Sequence, residues 1–243
     1  MTYTIEDQQY GASVIDIYMP YWSARPWPCV FSIHGGGWAE GSEDSGPTLE
    51  HAKKLVDHGM MVVSVRYRLA PEHRWPVQMQ DVCEAVNFIL SGQYRSRIGK
   101  YGIIGASAGA HIAAMITSVW DPAPAVLLYG PYDLPMWSLE NPALANQYLP
   151  GCFGGASHNE SPINRIPPAG WMRPVLLVHG KQDTSVAYQQ SERYYSALAS
   201  AGGNPDLLLV DGDHCLIGSS EETKKLVDGR ILDFFTRNLK STL

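Results

Sequence analysis

The sequence predicts a single α/β domain with a mostly parallel central sheet and helices on both faces. Short apolar runs rich in branched residues alternate with helix-length periodic segments, the pattern of a sheet covered on both sides. Glycines and prolines, 23 and 17 of the 243 residues, gather at HGGGW, APEHRWP, IPPAG and SAGG, at joints between those segments and not in one linker. No internal repeat, charge run or separate second apolar core interrupts the pattern, so one domain is expected over 1–243.

Taken in order, the runs 14–18, 29–34, 61–67, 101–105, 125–129, 175–179 and 207–210 are expected strands, too short and too β-branched for buried helices. Helices are expected between them. Segment 48–58 puts Leu49, Ala52, Leu55 and Val56 on one face, and 77–90 does the same with Val82, Ala85, Val86 and Ile89. Segment 109–119 is apolar nearly all round and predicts a buried helix, 187–201 ends at Gly202-Gly203, and 221–238 completes the set. Residues 131–173 break the rhythm with Pro, Asn and Gly throughout, and predict an irregular, lid-like segment within the domain.

Composition excludes several functions. Lysine plus arginine total 18 against 24 acidic residues, a net charge of −6, so no basic surface for a nucleic acid is expected. No apolar stretch reaches the roughly 18 residues of a membrane span, and the start MTYTIEDQQY lacks the features of a secretion signal, which predicts a cytoplasmic protein. Cys29, Cys83, Cys152 and Cys215 are scattered, without CxxC pairs or zinc-like His spacing. Free thiols and no metal site are expected.

The chemistry begins at Gly105-Ala106-Ser107-Ala108-Gly109, a GxSxG pentapeptide between an expected strand and an expected buried helix. A serine on such a turn needs small neighbours and presents its hydroxyl at the carboxyl end of the sheet, above a helix amino terminus that favours negative charge. His34-Gly35-Gly36-Gly37-Trp38 follows another strand, and its glycines let amides converge on one point, as a tetrahedral oxyanion requires. Gly36 and Gly37 are the expected donors, with the amide of Ala108 as the third. No GxxxxGK or GxGxxG pattern points to a nucleotide, and no cofactor is expected.

A nucleophilic serine needs an imidazole, and the imidazole needs a carboxylate. In the order Ser, acid, His the base comes late, and His214 is the last histidine, just after the strand 207–210. His51, His58 and His73 precede the serine, His111 lies on the helix behind it, His158 falls in the irregular segment, and His179 ends a strand with its side chain buried. His34 is expected to order the glycine loop. Asp183, in HGKQD after the strand 175–179, is the first candidate acid and Asp133 the second; Asp211 and Asp213 crowd His214 too closely in sequence.

Together HGGGW, the run from Tyr67 through APEHRWP to Asp81, GxSAG, and HGxxD with a late His resemble the α/β-hydrolase superfamily, and within it the hormone-sensitive-lipase-like esterases. The resemblance covers residues 34–214 and implies the triad Ser107, Asp183 and His214 with an oxyanion hole of Gly36, Gly37 and Ala108. It also implies a structural role for the YRLAPEH segment, with Asp81 capping its helix and the prolines bracing the loop beside HGGG. Two departures stand out: Ala106 takes the place of an acid in the usual GDSAGGN, and Ala110-His111 take the place of Gly-Asn. SAGAHIAAM and WAEGS look closer to the small branch that includes acetyl and feruloyl esterases and kynurenine formamidases, and about 20 residues ahead of the first such strand are too few for an amino-terminal helical cap.

The expected activity is therefore that of a serine carboxylesterase acting on short-chain or small aromatic acyl esters. An arylformamidase cleaving N-formyl aromatic amines is the alternative, and a non-catalytic ligand-binding hydrolase fold is the reading from another class. Trp38 and Trp137 are the expected substrate-binding residues, with Trp75, Tyr132 and Tyr148 as further candidate walls. The expected partner is a small-molecule ester or amide, with no nucleic acid and no membrane span; the sequence is compatible with a dimer.

Overall fold

Eight strands form one sheet in the computed structural model, which describes residues 3–21, 23, 26–44, 46–120, 123–155 and 159–240. They are β1 (Tyr3–Tyr10), β2 (Ser13–Pro20), β3 (Trp27–Ile33), β4 (Met61–Val65), β5 (Ile98–Ala106), β6 (Ala125–Leu128), β7 (Val175–Gly180) and β8 (Pro205–Val210). Their spatial order is β1-β2-β4-β3-β5-β6-β7-β8. β1 pairs antiparallel with β2 and β2 with β4, and every other pairing is parallel. All seven expected strands are present; β1 is the addition.

The central strands read as continuous apolar runs because both faces are buried. Alternate side chains serve different cores. Phe31, Ile33, Met61, Val63, Ile103, Leu127 and Leu177 face one side, where they meet α2 (Val77–Ser91), α3 (Ala108–Val119) and α6 (Gln189–Ser200). Val30, Val62, Ile104, Val126, Leu128 and Val178 face the other, against α1 (Pro47–Val56) and α7 (Glu221–Leu239). Among the described residues no helix is long and apolar enough to cross a membrane. None of the four cysteines is in a disulfide.

The segment 131–173 is helical over most of its first half, and its described residues after Phe153 are irregular apart from one short turn. It holds α4 (Leu134–Glu140), α5 (Pro142–Phe153) and a 3-10 turn, Pro162–Asn164. Two of the prolines that suggested loop stand in first turns, at Pro135 and Pro142, where a helix needs no N–H, and a third, Pro150, lies inside α5. Asp133 and Asn141 cap the two helices, accepting from the amides of Met136 (3.1 Å) and Leu144 (3.3 Å). Gly154 ends α5 in the left-handed region with φ 78°. Leu134, Trp137, Ala145, Leu149 and Cys152 join the core.

Asp81 does not cap its helix. It lies in the second turn of α2, whose N-cap is Pro76 without a side-chain bond. Its buried carboxylate instead accepts from the Arg68 backbone amide (2.8 Å), from Nε (3.0 Å) and from Nη2 (2.7 Å). That pairing anchors the stretch after β4, whose Ala70 amide in turn reaches the Trp38 carbonyl at 2.9 Å. Replacing Asp81 with alanine removes an acceptor for three donors, and chemical denaturation should report a loss of about 2–3 kcal/mol; a change within about 0.5 kcal/mol, the scatter of an ordinary surface substitution, would show the pairing to be dispensable.

Candidate active site

β5 delivers Ser107 to the carboxyl edge of the sheet, and α3 carries the chain away from it. The serine has φ 53° and ψ −119°, a conformation costly for a side-chain-bearing residue. Neighbouring bonds hold it there: its amide donates to Leu128 O (2.8 Å), and its carbonyl accepts from Ala110 (3.0 Å) and His111 (3.2 Å). The flanking glycines are demanded by distance. A Cβ on Gly105 would stand 2.2 Å from Gly109 O, and one on Gly109 would stand 2.2 Å from Ile33 O. The same approach brings the end of β3, and hence the loop that follows it, beside the serine.

That loop, 34–38, is held from behind. Tyr67 OH donates to His34 O (3.1 Å) and Gly35 O (3.2 Å), and its ring stacks on the His34 imidazole at 4.1 Å. His34 Nδ1 donates to Gly35 O at 2.7 Å, so this histidine orders the loop, as expected, and takes no part in the hydroxyl's bonding. Trp38, at φ 61°, donates from Nε1 to His111 Nδ1 (3.3 Å), and His111 Nε2 donates to Glu160 O (2.7 Å). The amides of Gly36, Gly37 and Ala108 have no hydrogen-bond acceptor among the described residues. All three residues line the cavity that contains Ser107.

His214 and Asp183 come from the loops after β8 and β7. His214 Nε2 accepts from Ser107 Oγ at 3.1 Å, and Nδ1 donates to Asp183 Oδ2 at 2.7 Å. Asp183 Oδ1 accepts from the amides of Ser185 (2.8 Å) and Val186 (2.9 Å). Burial pushes the Asp183 carboxyl upward, but hydrogen bonds from His179 and His214, the charge on His214 and the Val186 amide outweigh it and hold the group well below the usual carboxylate range. Asp133 is spent as a helix cap, and the Asp213 carboxylate accepts from Gly218 N (3.1 Å) within its own turn. His51 pairs with Asp228 at 2.7 Å, and His158 lies outside the described residues. The sequence reading placed His179 in the core but missed that its Nε2 reaches Asp183 Oδ2 at 3.1 Å; the i, i+4 spacing in HGKQD carried the signal.

The cavity has a volume of about 390 Å³. Trp38 and Trp137 line it, although only 1% and 3% of their surfaces are exposed. Tyr148 also lines it, its ring so close to Gly37 that a Cβ there would stand 2.4 Å away. Trp75 and Tyr132 do not. Trp75 packs on His111 (5.0 Å) and Phe153 (5.5 Å), and Tyr132 stacks on Tyr194 (4.6 Å). Tyr129, Leu144 and Ser185 add to the walls that composition alone did not mark, and among the described residues Glu40 is the one acidic residue in the lining, which holds no lysine or arginine. Tyr148 OH donates to Glu40 Oε1 at 3.4 Å. Among the described residues no cluster of three or more His, Cys, Asp or Glu side chains is arranged to hold a metal ion.

The site can generate a serine nucleophile and receive an oxyanion. Residues 15–122 match the family described as BD-FAE. The chain is 31% identical to kynurenine formamidase of Danio rerio over 83% of its own length and 71% of that protein. It is 30% identical to esterase LipQ of Mycobacterium tuberculosis over 72% of its own length, and spans 46% of that relative. A solved structure described as a truncated form of carbohydrate esterase from gut microbiota superimposes with a TM-score of 0.80, covering 99% of this chain and 98% of that one at 19% identity.

Two buried imidazoles give the site a stability signature. Burial lowers His34 and His111 to about 4, only partly offset by their backbone hydrogen bonds. In the unfolded chain the same groups titrate near 6.5, so below about that pH the unfolded state binds protons that the folded state does not. Stability should therefore fall as pH drops from about 6.5 to about 4, by the order of 3 kcal/mol for each imidazole. His111→Gln keeps a donor toward Glu160 O without a titrating ring, and urea unfolding at a series of pH values should show a shallower slope. An unchanged slope would remove His111 from this account.

Proposed function

The chain belongs to the hormone-sensitive-lipase-like branch of the α/β-hydrolases, and on that premise we propose that it is a serine carboxylesterase acting on esters of short-chain or small aromatic acids. One observation carries the proposal. Ser107, His214 and Asp183 form a continuous hydrogen-bonded line, with bonds of 3.1 and 2.7 Å, beside three amides that have no acceptor among the described residues.

In this reading His214 Nε2 takes the proton of Ser107 Oγ as the oxygen attacks the acyl carbon. Asp183 holds Nδ1–H and stabilises the imidazolium, while the amides of Gly36, Gly37 and Ala108 receive the developing oxyanion. Collapse of the tetrahedral species breaks the bond to the leaving oxygen, which takes the proton from Nε2–H. Water then gives its proton to His214 and attacks the acyl-enzyme, releasing the acid and restoring the Ser107 hydroxyl. The aromatic walls and the modest cavity suit an acetyl or small aryl group. The four cysteines, outside any disulfide, agree with a reducing compartment, and we assign the protein to the cytoplasm.

Formamide cleavage needs the same apparatus, and the likeness to a kynurenine formamidase favours it as the second reading. A rate comparison on p-nitrophenyl acetate and N-formylkynurenine separates the two. Ester turnover should dominate, and negligible ester turnover beside fast formamide cleavage would reverse the order. Ser107→Ala should lower kcat by more than about 10⁴-fold and abolish labelling by a fluorophosphonate. Labelling that persists in the variant would assign the nucleophile elsewhere.

Charge in the lining adds a specificity. Among the described residues Glu40 faces no lysine or arginine in the cavity, so a carboxylate on the substrate meets repulsion without a counter-charge. Between a neutral phenyl acetate and its para-carboxylate, kcat/KM should favour the neutral ester by about threefold to tenfold at low salt. Glu40→Gln should narrow that ratio; equal ratios in the two proteins would locate the discrimination in another group.

A further inference from the structure

Asp183 Oδ2 is shared between two imidazoles. It accepts His214 Nδ1–H at 2.7 Å and lies 3.1 Å from His179 Nε2. His179 is fully buried, and its Nε2 also lies 2.8 Å from Val186 O. A nitrogen facing a carboxylate and a carbonyl must carry the ring proton, because neither oxygen can donate. Nδ1 is then the acceptor, and the Ser191 hydroxyl donates to it at 2.7 Å. Ser191 lies in the first turn of α6 and is itself fully buried. Ser191, His179, Asp183, His214 and Ser107 therefore make one chain of hydrogen bonds from the helix to the nucleophile.

The geometry points to His179 as a positioning residue that acts through Asp183 on the basicity of His214, with the Ser191 hydroxyl polarising its ring through Nδ1. The inference rests on the reading of Ser107, His214 and Asp183 as the catalytic line. A carboxylate stabilises an imidazolium in proportion to the charge it can direct at it, and each further N–H on the same oxygen withdraws part of that charge. His179 thus limits how firmly the protonated base is held, so that His214 returns its proton to the leaving group. It also fixes the carboxylate plane, with Oδ1 held by two amides and Oδ2 by two imidazoles.

The other titratable groups around the pair are Tyr129, whose ring meets His214 at 5.1 Å, and Cys215 and Asp213, its neighbours in sequence. Burial raises Tyr129 well above its usual range and pushes Cys215 up to about 11, so neither ionises where the base titrates. Asp213 stays constant across the variants compared.

The test is the pH dependence of kcat/KM on p-nitrophenyl acetate, followed at the isosbestic wavelength of the released nitrophenol. Turnover by wild type and its loss in Ser107→Ala establish the catalytic line first; without them both readings fall. His179→Leu removes the donor, and the acid limb should move to higher pH by roughly half a unit to one unit, with KM within about twofold because His179 does not touch substrate. His179→Gln can place an amide nitrogen near the Nε2 position and should keep the limb near that of wild type. A purely structural role would lower kcat alike in both variants and leave the limb in place, and that result overturns the inference. Ser191→Ala removes the hydroxyl bond at Nδ1 that polarises the ring, weakens Nε2–H as a donor to Asp183, and should give a smaller shift in the same direction. Where His179→Leu does not fold, a wild-type limb in Ser191→Ala is equally decisive against it.

Discussion

The site depends on one steric contact. Gly109, in the first turn of α3, lies so close to the end of β3 that any side chain would meet Ile33 O at 2.2 Å, and Gly105 lies equally close to Gly109 O. These distances set the height of the serine turn against its neighbouring strand. β3 and β5 pair in register there, with Ile33 opposite Gly105, so the loop after Ile33 emerges beside Ser107. The loop of 34–38 and the Ser107 hydroxyl are thus brought together by backbone packing. The strained backbone of Ser107 follows from the same approach, because the chain must reverse from strand to helix within one residue.

The helices of 134–153 close the site from two sides. Tyr148, on α5, lies over Gly37 at the front of the oxyanion loop. Phe153, at the end of the same helix, packs on Trp38 at 5.0 Å and on His111 at 5.6 Å behind it. A segment that opens readily has few buried apolar contacts and solvent-exposed bonds. This one places Leu134, Trp137, Ala145 and Leu149 in the core and donates from Trp137 Nε1 and Asn141 Nδ2 to the loop that bears Asp183.

What the sequence revealed and what it hid divide along physical lines. Strands with both faces buried are continuous apolar runs, and Ser107, His214 and Asp183 follow three of them, so order and punctuation marked as candidates three residues whose side chains are hydrogen-bonded in the structure. β1 was hidden because an edge strand exposed on one side, YTIEDQQY, is largely polar. The helices α4 and α5 were hidden because Pro135 and Pro142 look like breakers until their first-turn positions are known. Asp81 looked like a cap because it lies near a helix start, whereas its partner Arg68 is 13 residues earlier, across a turn. Trp75 and Tyr132 illustrate the commonest ambiguity, since a core aromatic and a substrate wall have the same composition. Long-range pairing of polar groups, His179 with Ser191 included, has no local periodicity to betray it.

The two helices that wall the cavity are not equally free to vary. Ser185 donates its amide to Asp183 Oδ1 and accepts Trp137 Nε1 at its carbonyl, 2.9 Å away, while Asn141 Nδ2 reaches the carbonyls of Thr184 and Ser185. A change at Trp137 therefore pulls on the loop that carries Asp183, and any gain in cavity space there comes with a disturbance of the Asp183–His214 bond. Leu144 and Tyr148, from α5, line the same cavity without touching that loop by hydrogen bond; Tyr148 OH reaches only Glu40, at 3.4 Å. The shape of the cavity can consequently be altered from α5 without touching the hydrogen bonds of Asp183, whereas α4 couples that shape to the placing of Asp183 and His214. The separation follows from which carbonyls the wall residues use as acceptors, and on the proposed function it makes α5 the element through which one small acyl group could be exchanged for another.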